Sequence, residues 1–393
     1  MGKPKIRFKG YEDDWEQRKF ADMAIRESAV QTASQEIPGV EYDDVVVEEG
    51  CLNKDISSKE TKKSGILFDG SQVLYGKLRP YLHNWLNPDF KGVAVGDWWV
   101  LKPIDLNKNF LYRLIQTQQF DNIANQSAGS KMPRADWNLI SNSAFMVPFP
   151  NEEQRKIGDY FLSLDHLITL HQRKCEETKS LKKYMLKKMF PENGKCVPEI
   201  RFSGFSDDWE QRKLGDNIIE YHEVTTENNQ YPVLTSSRKG IFLQTEYYSG
   251  NQVASSDNTG YNVVPYGYFT YRHMSDDQIF YFNINDIVEN GIVSTLYPVF
   301  TTNIKIDSRY LQYQLNYGRE FAKFAILQKQ GGSRTYMYLN KLKSLCLTMP
   351  KTIGEQKKIS EYFMKLDHLI TLHQHKCDEL QKLKKFMLQN MFM

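Results

Sequence analysis

The sequence has few cysteines and no long apolar run. Five cysteines are spread over 393 residues at irregular spacing: Cys51, Cys175, Cys196, Cys346 and Cys377. An odd, dispersed set argues against a disulfide framework and for a reducing compartment. No run approaches the roughly 18 apolar residues of a membrane helix, and the first residues lack the apolar core of a signal peptide. We therefore expect a cytoplasmic protein that does not enter a membrane.

Catalytic motifs are also missing from the sequence. No glycine-rich loop ends in Gly-Lys-Ser/Thr, which argues against nucleotide hydrolysis, and no Ser/His/Asp signature is present. Residues 87–90, Asn-Pro-Asp-Phe, are only superficially similar to the NPP[YF] motif of adenine methyltransferases. The second proline is replaced, and no glycine-rich cofactor loop precedes the motif. We therefore assign no catalytic residue and no metal ligand, and we interpret the chain as a binding protein.

The net charge is small. A formal charge of +3 does not by itself indicate a nucleic-acid partner. Any DNA-binding surface must therefore come from local clusters of Lys and Arg. Aromatic residues are frequent, at 13% with 23 tyrosines. That content is typical either of Tyr-rich strands or of surfaces that stack on a ligand, and composition alone does not separate the two.

A segment of 39 residues occurs twice in the chain. The copies are Glu152–Phe190 and Gly354–Phe392, which are identical at 25 of 39 positions with an offset of 202. Neither copy contains proline, and each predicts a helix about 58 Å long at 1.5 Å per residue. A shorter duplication precedes each copy: Pro4–Phe20 and Pro198–Leu214 match at 12 of 17 positions.

These duplications predict the domain organisation. A repeated short element at residues 1–20 is followed by a variable region at 21–150 and a long helix at 151–190. A linker with the second short element at 191–213 is followed by a second variable region at 214–350 and a second long helix at 351–393. Within the short element we expect a strand at 6–8 and a helix start at 13–16. The matched Trp15 and Trp209 are predicted packing anchors.

Both variable regions have the pattern of mixed α+β structure. Short apolar runs bounded by Gly, Asn, Asp and Pro predict strands. In the first region these runs are residues 45–47, 65–68, 72–75 and 98–101, and in the second they are 263–264, 267–271 and 291–293. Residues 110–123 and 310–327 are each predicted to form one helix.

The long helices carry a heptad seam, with apolar residues at alternating steps of four and three. Its principal apolar members are Ile157, Phe161, Leu164, Ile168 and Met185, and Ile359, Phe363, Leu366, Ile370 and Met387. Two near-identical surfaces pair most simply about a pseudo-twofold axis, which makes the helices antiparallel. Head-to-tail stacking is the alternative. Flanking residues such as Tyr160, Leu167 and Leu181 widen the seam, which predicts that further helices dock there.

Polar residues occupy the middle of the seam. Antiparallel overlap centred near Gln172 and Gln374 would place His171 opposite Cys377 and Cys175 opposite His373. Two His and two Cys are a ligand set that zinc accepts. The simpler interpretation, which we prefer, is a pair of polar packing layers without metal.

Cationic and aromatic residues recur at matching positions of the two variable regions. Gly-Ser-cation loops offer backbone N–H groups and charge to phosphate, and Arg or Lys can read guanine. The candidate DNA contacts of the first region are Lys77, Arg79, Tyr81, Ser130, Lys131 and Arg134. Those of the second are Arg238, Lys239, Tyr271, Arg272, Ser333, Arg334 and Tyr336. The alternative for each loop is an ordinary polar surface.

The doubled motifs resemble those of the specificity subunits of type I restriction-modification systems. The resemblance covers essentially the whole chain and rests on the doubled PxIRFxGFxDDWEQRKL-like element and the doubled EQ-K-I-x(3)-F-x(2)-LD-x-LI helix start. It implies an α+β fold with two mixed α/β target-recognition domains, separated by two long antiparallel helices that form a coiled coil. Each domain is then expected to read one half of a split, asymmetric double-stranded DNA target.

The resemblance also implies partners. The helices are expected to set the spacer between half-sites and to dock two methyltransferase subunits, which hold S-adenosylmethionine and methylate adenine. Restriction and motor subunits are expected to cut unmethylated DNA with ATP and Mg²⁺, so this chain itself needs no cofactor. Two other classes stay open on the residues: a coiled-coil scaffold without DNA contact and a self-contained DNA-modifying enzyme.

Overall fold

The computed structural model describes residues 2–57, 59, 62–126, 132–149, 151–192, 194–250, 253–329 and 334–392. The chain folds into two units. The first contains residues 1–173 and 373–393, and the second contains residues 174–372. Each long repeated segment therefore contributes residues to both units.

The first unit is a mixed α/β structure. Its strands are β1 (Glu16–Lys19), β2 (Ala24–Arg26), β3 (Val30–Thr32), β4 (Gly39–Val40), β5 (Ser64–Phe68), β6 (Val73–Gly76), β7 (Trp85–Leu86), β8 (Gly92–Ala94), β9 (Trp98–Pro103) and β10 (Ala144–Val147). Its short helices are α1 (Lys108–Leu114), α2 (Gln118–Ala124) and α3 (Trp137–Asn142). The strands form the sheets β2-β9-β6-β7 and β3-β5-β8-β4, and β1 pairs with β10.

Strands β6 and β9 separate two apolar clusters of the first unit. Val73 and Tyr75 of β6 belong to the cluster that contains the helices, whereas Leu74 between them belongs to the cluster beneath the second sheet. Successive side chains of a strand point to opposite faces. Both faces of β6 are therefore buried, which explains its continuous apolar sequence.

The second unit repeats this composition. Its strands are β11 (Glu210–Lys213), β12 (Ile218–Tyr221), β13 (Leu234–Ser237), β14 (Gly240–Leu243), β15 (Asn262–Pro265), β16 (Phe269–Thr270), β17 (Met274–Ser275), β18 (Asn283–Ile284), β19 (Asn290–Val293), β20 (Val299–Thr302), β21 (Thr335–Tyr336) and β22 (Cys346–Met349). The long helices are α4 (Asn151–Lys188) and α9 (Ile353–Met391); between them lie α5 (Gln244–Tyr247), α6 (Ser308–Tyr317), α7 (Arg319–Leu327) and α8 (Leu339–Lys343). The main sheet has the order β12-β20-β16-β18, and β11 pairs with β22 as β1 pairs with β10.

Helices α4 and α9 run antiparallel where they pack in each unit. In the first unit Lys384 Nζ lies 2.7 Å from the Asp165 carboxylate, and in the second Lys182 Nζ lies 2.5 Å from that of Asp367. These two pairs occupy the same positions of the repeat. Ile157, Phe161, Leu164, Ile168, Ile359, Phe363 and Leu366 are buried, and Met185, Ile370 and Met387 are half-buried. The predicted antiparallel seam is thereby confirmed.

The polar layers at the middle of the seam differ from the prediction. In the first unit His171 contacts His373, with 3.0 Å between their Nδ1 atoms, whereas the prediction placed Cys377 opposite His171. The Cys377 thiol instead points to the Ile168 carbonyl, and in the second unit the Cys175 thiol points to that of Ile370. The helix register is therefore centred on the two histidines. Among the described residues, no group of three or more His, Cys, Asp or Glu is placed to hold a metal ion.

The doubled Arg and Glu-Gln positions tie each short element to the start of a long helix. Arg7 forms two hydrogen bonds to the buried Glu153, at 2.6 and 2.8 Å, and Arg201 binds Glu355 at the same two distances. Gln154 donates to the Pro148 carbonyl at 2.8 Å and accepts from the backbone N–H of Asn107. The repeated Arg and Glu-Gln positions thus form a structural joint between the short element and the long helix.

Several predicted elements are wrong in detail. Residues 6–8 and 45–47 form no strand, and residues 13–16 lead into strand β1 rather than a helix. Each predicted single helix is two helices: Thr117 caps α2 through its hydroxyl, and the extended backbone of Gly318 ends α6 and begins α7. A Cβ at Gly318 would lie 2.2 Å from the Gln314 carbonyl oxygen. Trp15 and Trp209 are buried packing residues, as predicted.

Candidate nucleic-acid interface

In the first unit the two predicted DNA-contact segments lie side by side. The backbone N–H of Arg79 donates to the Pro133 carbonyl at 2.7 Å, and that of Ala135 donates to the Lys77 carbonyl at 2.8 Å. Leu78 and Arg134 form an antiparallel bridge. Residues more than 50 positions apart in sequence thus present their cations from one surface.

Asp97, which the sequence analysis missed, lies between these cations. Its carboxylate accepts two hydrogen bonds from Arg134, each 3.2 Å long, and lies 3.6 Å from Lys77 Nζ. Its backbone carbonyl accepts from the N–H of Lys77 at 2.9 Å. The hydrogen bonds from Arg134 hold the pKa of Asp97 below its usual value. The carboxylate therefore stays ionised and orients both cations.

Arg79 and Tyr81 are the exposed ends of the first segment. Arg79 has a left-handed backbone with φ of +48°, which costs a residue with a Cβ about 1–2 kcal/mol. The hydrogen bond to Pro133 and the short turn that follows hold this conformation. Tyr81 exposes about half of its surface, at 52%. A strained residue that points a cation outward is typical of a binding position.

The second unit brings its two segments together in the same way. Strands β17 and β21 pair, with Met274 opposite Tyr336, and the N–H of Met337 donates to the His273 carbonyl at 2.7 Å. Here too acids hold the cations. Arg334 donates to Asp276 at 3.0 Å, and Arg238 donates to Asp277 at 2.5 Å.

An aromatic stack accompanies these cations in the second unit. The rings of His273 and Tyr338 lie 5.0 Å apart at an angle of 26°, and those of Tyr336 and Tyr338 lie 5.8 Å apart at 11°. Tyr336 and Tyr338 are exposed. Tyr338 was missed in the sequence because it lies beyond the Gly-Ser-cation loop. The two phenols offer stacking faces and hydroxyl groups to a bound base or phosphate.

The structure places the other predicted contacts as follows. Tyr271 is fully buried, and its hydroxyl donates to the Met337 carbonyl at 2.8 Å, so its predicted DNA contact is wrong. Arg272 and Lys239 are exposed. Ser130, Lys131 and Ser333 lie outside the described residues.

Comparisons with known proteins find similar sequences. Residues 12–180 match the family model described as the type I restriction modification DNA specificity domain. The chain is 23% identical over 355 residues to the type I restriction enzyme MjaVIII specificity subunit of Methanocaldococcus jannaschii, covering 81% of this chain and 76% of that protein. A putative MjaX specificity subunit of the same organism is 23% identical over 313 residues, covering 71% and 67%. This chain is thus similar in sequence to type I restriction-modification specificity subunits.

A solved structure has the same fold. The crystal structure of the S subunit of a type I restriction-modification system from M. genitalium aligns with a TM-score of 0.64 and 13% identity. The alignment covers 100% of this chain and 99% of that one. The fold predicted for a specificity subunit, with two mixed α/β domains and long helices, is therefore confirmed, as is the resemblance seen in the doubled motifs.

The long helices of this chain leave a second apolar surface uncovered. In the first unit the exposed apolar side chains are Leu162, Leu167, Leu383 and Phe386, and in the second they are Met364, Leu369, Leu181 and Tyr184. The two sets occupy the same positions of the repeat. Uncovered apolar side chains are a common feature of surfaces that contact other proteins. Among the described helices, none has the length and apolar character needed to cross a lipid bilayer.

Proposed function

We propose that this chain is the DNA-reading subunit of a type I restriction-modification complex, with each unit reading one half of a bipartite, asymmetric target. The observation that carries the proposal is that two predicted DNA-contact segments pair in each unit. Residues 77–79 pair with 133–135, and strand 274–275, which follows Arg272, pairs with strand 335–336, which follows Arg334. The names of the curated relatives support it.

The two units present different side chains on this shared framework. The first has Arg79 and Tyr81 beside its paired segments, whereas the second has Arg334 and the stacked Tyr336 and Tyr338. Sequence is read by side chains at base edges, while phosphate contacts only position the protein. Because the two units carry different side chains on similarly paired segments, we expect them to read different half-sites. The whole target is then asymmetric.

The proposal includes partners at the long helices. Two methyltransferase subunits dock there, one in each half, through the uncovered apolar residues such as Leu167 and Leu369. Restriction and motor subunits complete the complex. S-adenosylmethionine belongs to the methyltransferase subunits, and ATP and Mg²⁺ to the restriction subunits. This chain contributes recognition, the spacing between the half-sites and no catalytic group.

The test maps methylated adenines genome-wide in cells with and without the gene. We expect a split motif that disappears with the gene. Arg79→Glu should then alter or abolish readout of one half of the motif, and Arg334→Glu should alter the other half. The matched control is Arg155→Glu, an exposed arginine on helix α4 that pairs with Glu152 at 2.7 Å, which should leave the motif unchanged.

Other outcomes would favour the alternatives. If charge reversal at Arg79, Arg134 and Arg334 left DNA binding by the assembled complex intact, a scaffold without DNA contact would be the better account. Methyl transfer by the isolated chain would instead indicate a self-contained enzyme. Loss of the gene without any change in adenine methylation would contradict the proposal outright.

A further inference from the structure

The second unit contains a cavity of about 410 Å³ that plays no part in the proposed DNA reading. It lies where the last turns of α4 meet the junction of α6 and α7. Five cations line it: Lys179, Lys182, Lys183, Lys187 and Arg319. A volume in the range of about 300–1,000 Å³ is that of a small-molecule site.

The cations of this cavity are unequally neutralised. Lys179 pairs with Glu176 at 2.7 Å, Lys182 with Asp367 at 2.5 Å, and Arg319 with Glu192 at 3.7 Å. Among the described residues neither Lys183 nor Lys187 has a salt-bridge partner, and both are exposed. No acid lines the cavity itself. The lining therefore favours a ligand with more than one negative charge.

Helix α7 adds a further anion-binding feature at the same place. The helix begins at Arg319, and its N-cap residue Gly318 provides no side-chain hydrogen bond. The first N–H groups of a helix have no partner within the helix and attract phosphate. Arg319, which lines the cavity, is the first residue of this helix, whose first turn also contains the acid Glu320.

The rest of the lining is apolar or aromatic. It consists of Leu186, Phe190, Pro191, Ile370 and Tyr317. Lys182 Nζ lies 4.7 Å from the centre of the Tyr317 ring, so the cation and the aromatic ring are already held together. An inorganic anion alone would leave this apolar surface uncovered. A ligand that carries both phosphates and a planar ring would use both parts.

We propose that this cavity binds a nucleotide, with its polyphosphate at Lys183, Lys187 and Arg319 and its base against the apolar lining. The proposal is independent of DNA reading by the paired cationic segments. It concerns binding only, since no catalytic group lines the cavity.

The duplication provides an internal comparison for this cavity. At the offset of 202, Lys179 and Lys187 correspond to Gln381 and Gln389 in the first unit. Arg319 corresponds to Gln118, because the N-cap residues Thr117 of α2 and Gly318 of α7 set the local offset at 201. Three of the five cations are therefore glutamine in the other repeat. The triple variant Lys179→Gln/Lys187→Gln/Arg319→Gln gives the second unit side chains that the same fold already accepts.

The experiment titrates the full-length chain with ATP in a calorimeter, and with inorganic triphosphate as the second probe. We expect one ATP site per chain, weakened by about tenfold or more in the triple variant. Lys183→Gln should also weaken binding, whereas the repeat-equivalent Lys385→Gln in the first unit should not. Photo-crosslinking with 8-azido-ATP should label a peptide within residues 179–191 or 317–319.

The results that overturn the proposal are equally specific. Absence of ATP binding would do so, as would a triple variant that folds and binds ATP like the unaltered chain. Triphosphate binding as tightly as ATP would show that the ring contributes nothing. Equal loss from Lys385→Gln, or a label elsewhere in the chain, would place the site outside this cavity. None of these results depends on whether the chain reads DNA.

Discussion

At the scale of single residues, acids beside the predicted DNA contacts decide how the cations are presented. Asp97 binds Arg134 and Lys77, whereas in the second unit Asp276 binds Arg334 and Asp277 binds Arg238. Such partners cancel part of the positive charge and fix the direction of each long side chain. Fixed cations favour specific contacts, whereas uncompensated ones favour any phosphate.

Replacing Asp97 tests this role. Asp97→Asn removes the charge that compensates Lys77 and Arg134. Binding of the assembled complex to unrelated DNA should strengthen, and the dependence of log K on log salt should steepen by about one. Discrimination between target and unrelated DNA should fall. Equilibrium binding over a series of salt concentrations measures all three quantities.

The control for this variant is Asp22→Asn, which removes an exposed acid of the same unit whose carboxylate has no ion-pair partner among the described residues. It should leave the ratio of target to unrelated binding unchanged. A fall in discrimination of the same size in both variants would attribute the effect to net charge rather than to positioning by Asp97.

The sequence located the cations but not their acids. Lys77 and Lys131 were found because cations recur at matching positions of the two halves, and Arg79 and Arg134 lie in the same two segments. Asp97 was missed because its pairing with Arg134, 37 residues away, exists only in the folded sheet. Tyr271 was wrongly predicted as a contact, because a short aromatic run does not reveal which side of the strand is buried.

At the scale of elements, the sequence predicts the long helices better than the short strands. The heptad pattern persists over 39 residues, so α4 and α9 were predicted almost to their ends. Three consecutive valines predicted a strand at residues 45–47, but the chain forms turns in this segment and the strand is absent. The Arg7–Glu153 joint was invisible in the sequence, since a strand-like run and a helix start give no sign that they touch.

Breaking this joint should destabilise one unit at a time. Glu153 is fully buried, and removing one partner of a buried ion pair costs about 3–5 kcal/mol. Glu153→Ala should therefore increase hydrogen exchange in the first unit, and Glu355→Ala in the second. The second effect should be larger, because Trp209 also donates to Glu355 at 3.2 Å, whereas the indole N–H of Trp15 has no partner among the described residues.

The neighbouring Glu152 provides the control for the first variant. Its side chain is 53% exposed and pairs only with Arg155 one turn along the helix. Such surface pairs contribute about 0–1 kcal/mol, so Glu152→Ala should hardly change exchange. Exchange rising equally in both units after Glu153→Ala would contradict the view that each joint stabilises its own unit.

At the scale of the whole molecule, the chain contains the same structural unit twice. The two copies differ in the side chains at the proposed DNA-reading surface. The joints Arg7–Glu153 and Arg201–Glu355, the strand pairs β1–β10 and β11–β22, and the helix contacts Asp165–Lys384 and Lys182–Asp367 all occur in both halves. The contacts that hold a unit together therefore do not depend on which copy of the long helix supplies them. Lys182 of α4 is the counterpart of Lys384 of α9.

This equivalence makes a prediction for half of the chain. Residues 1–197 contain a complete variable region and α4, but they lack the part of α9 that packs in the first unit. A second copy of α4 offers the same side chains, with Lys182 of one copy facing Asp165 of the other and the two His171 side chains in contact. The half-chain should therefore form a homodimer.

Because both reading regions of that homodimer are identical, its target should be a palindrome built from one half-site of the full-length protein. Sedimentation measures the dimer, and methylation mapping of the half-chain with its partner subunits measures the target. Lys182→Glu should weaken the dimer and Asp165→Lys in the same chain should restore it, because each contact then has its charges exchanged. A monomeric half-chain with an intact helix, or a dimer that still recognises both original half-sites, would contradict the equivalence of the two helices.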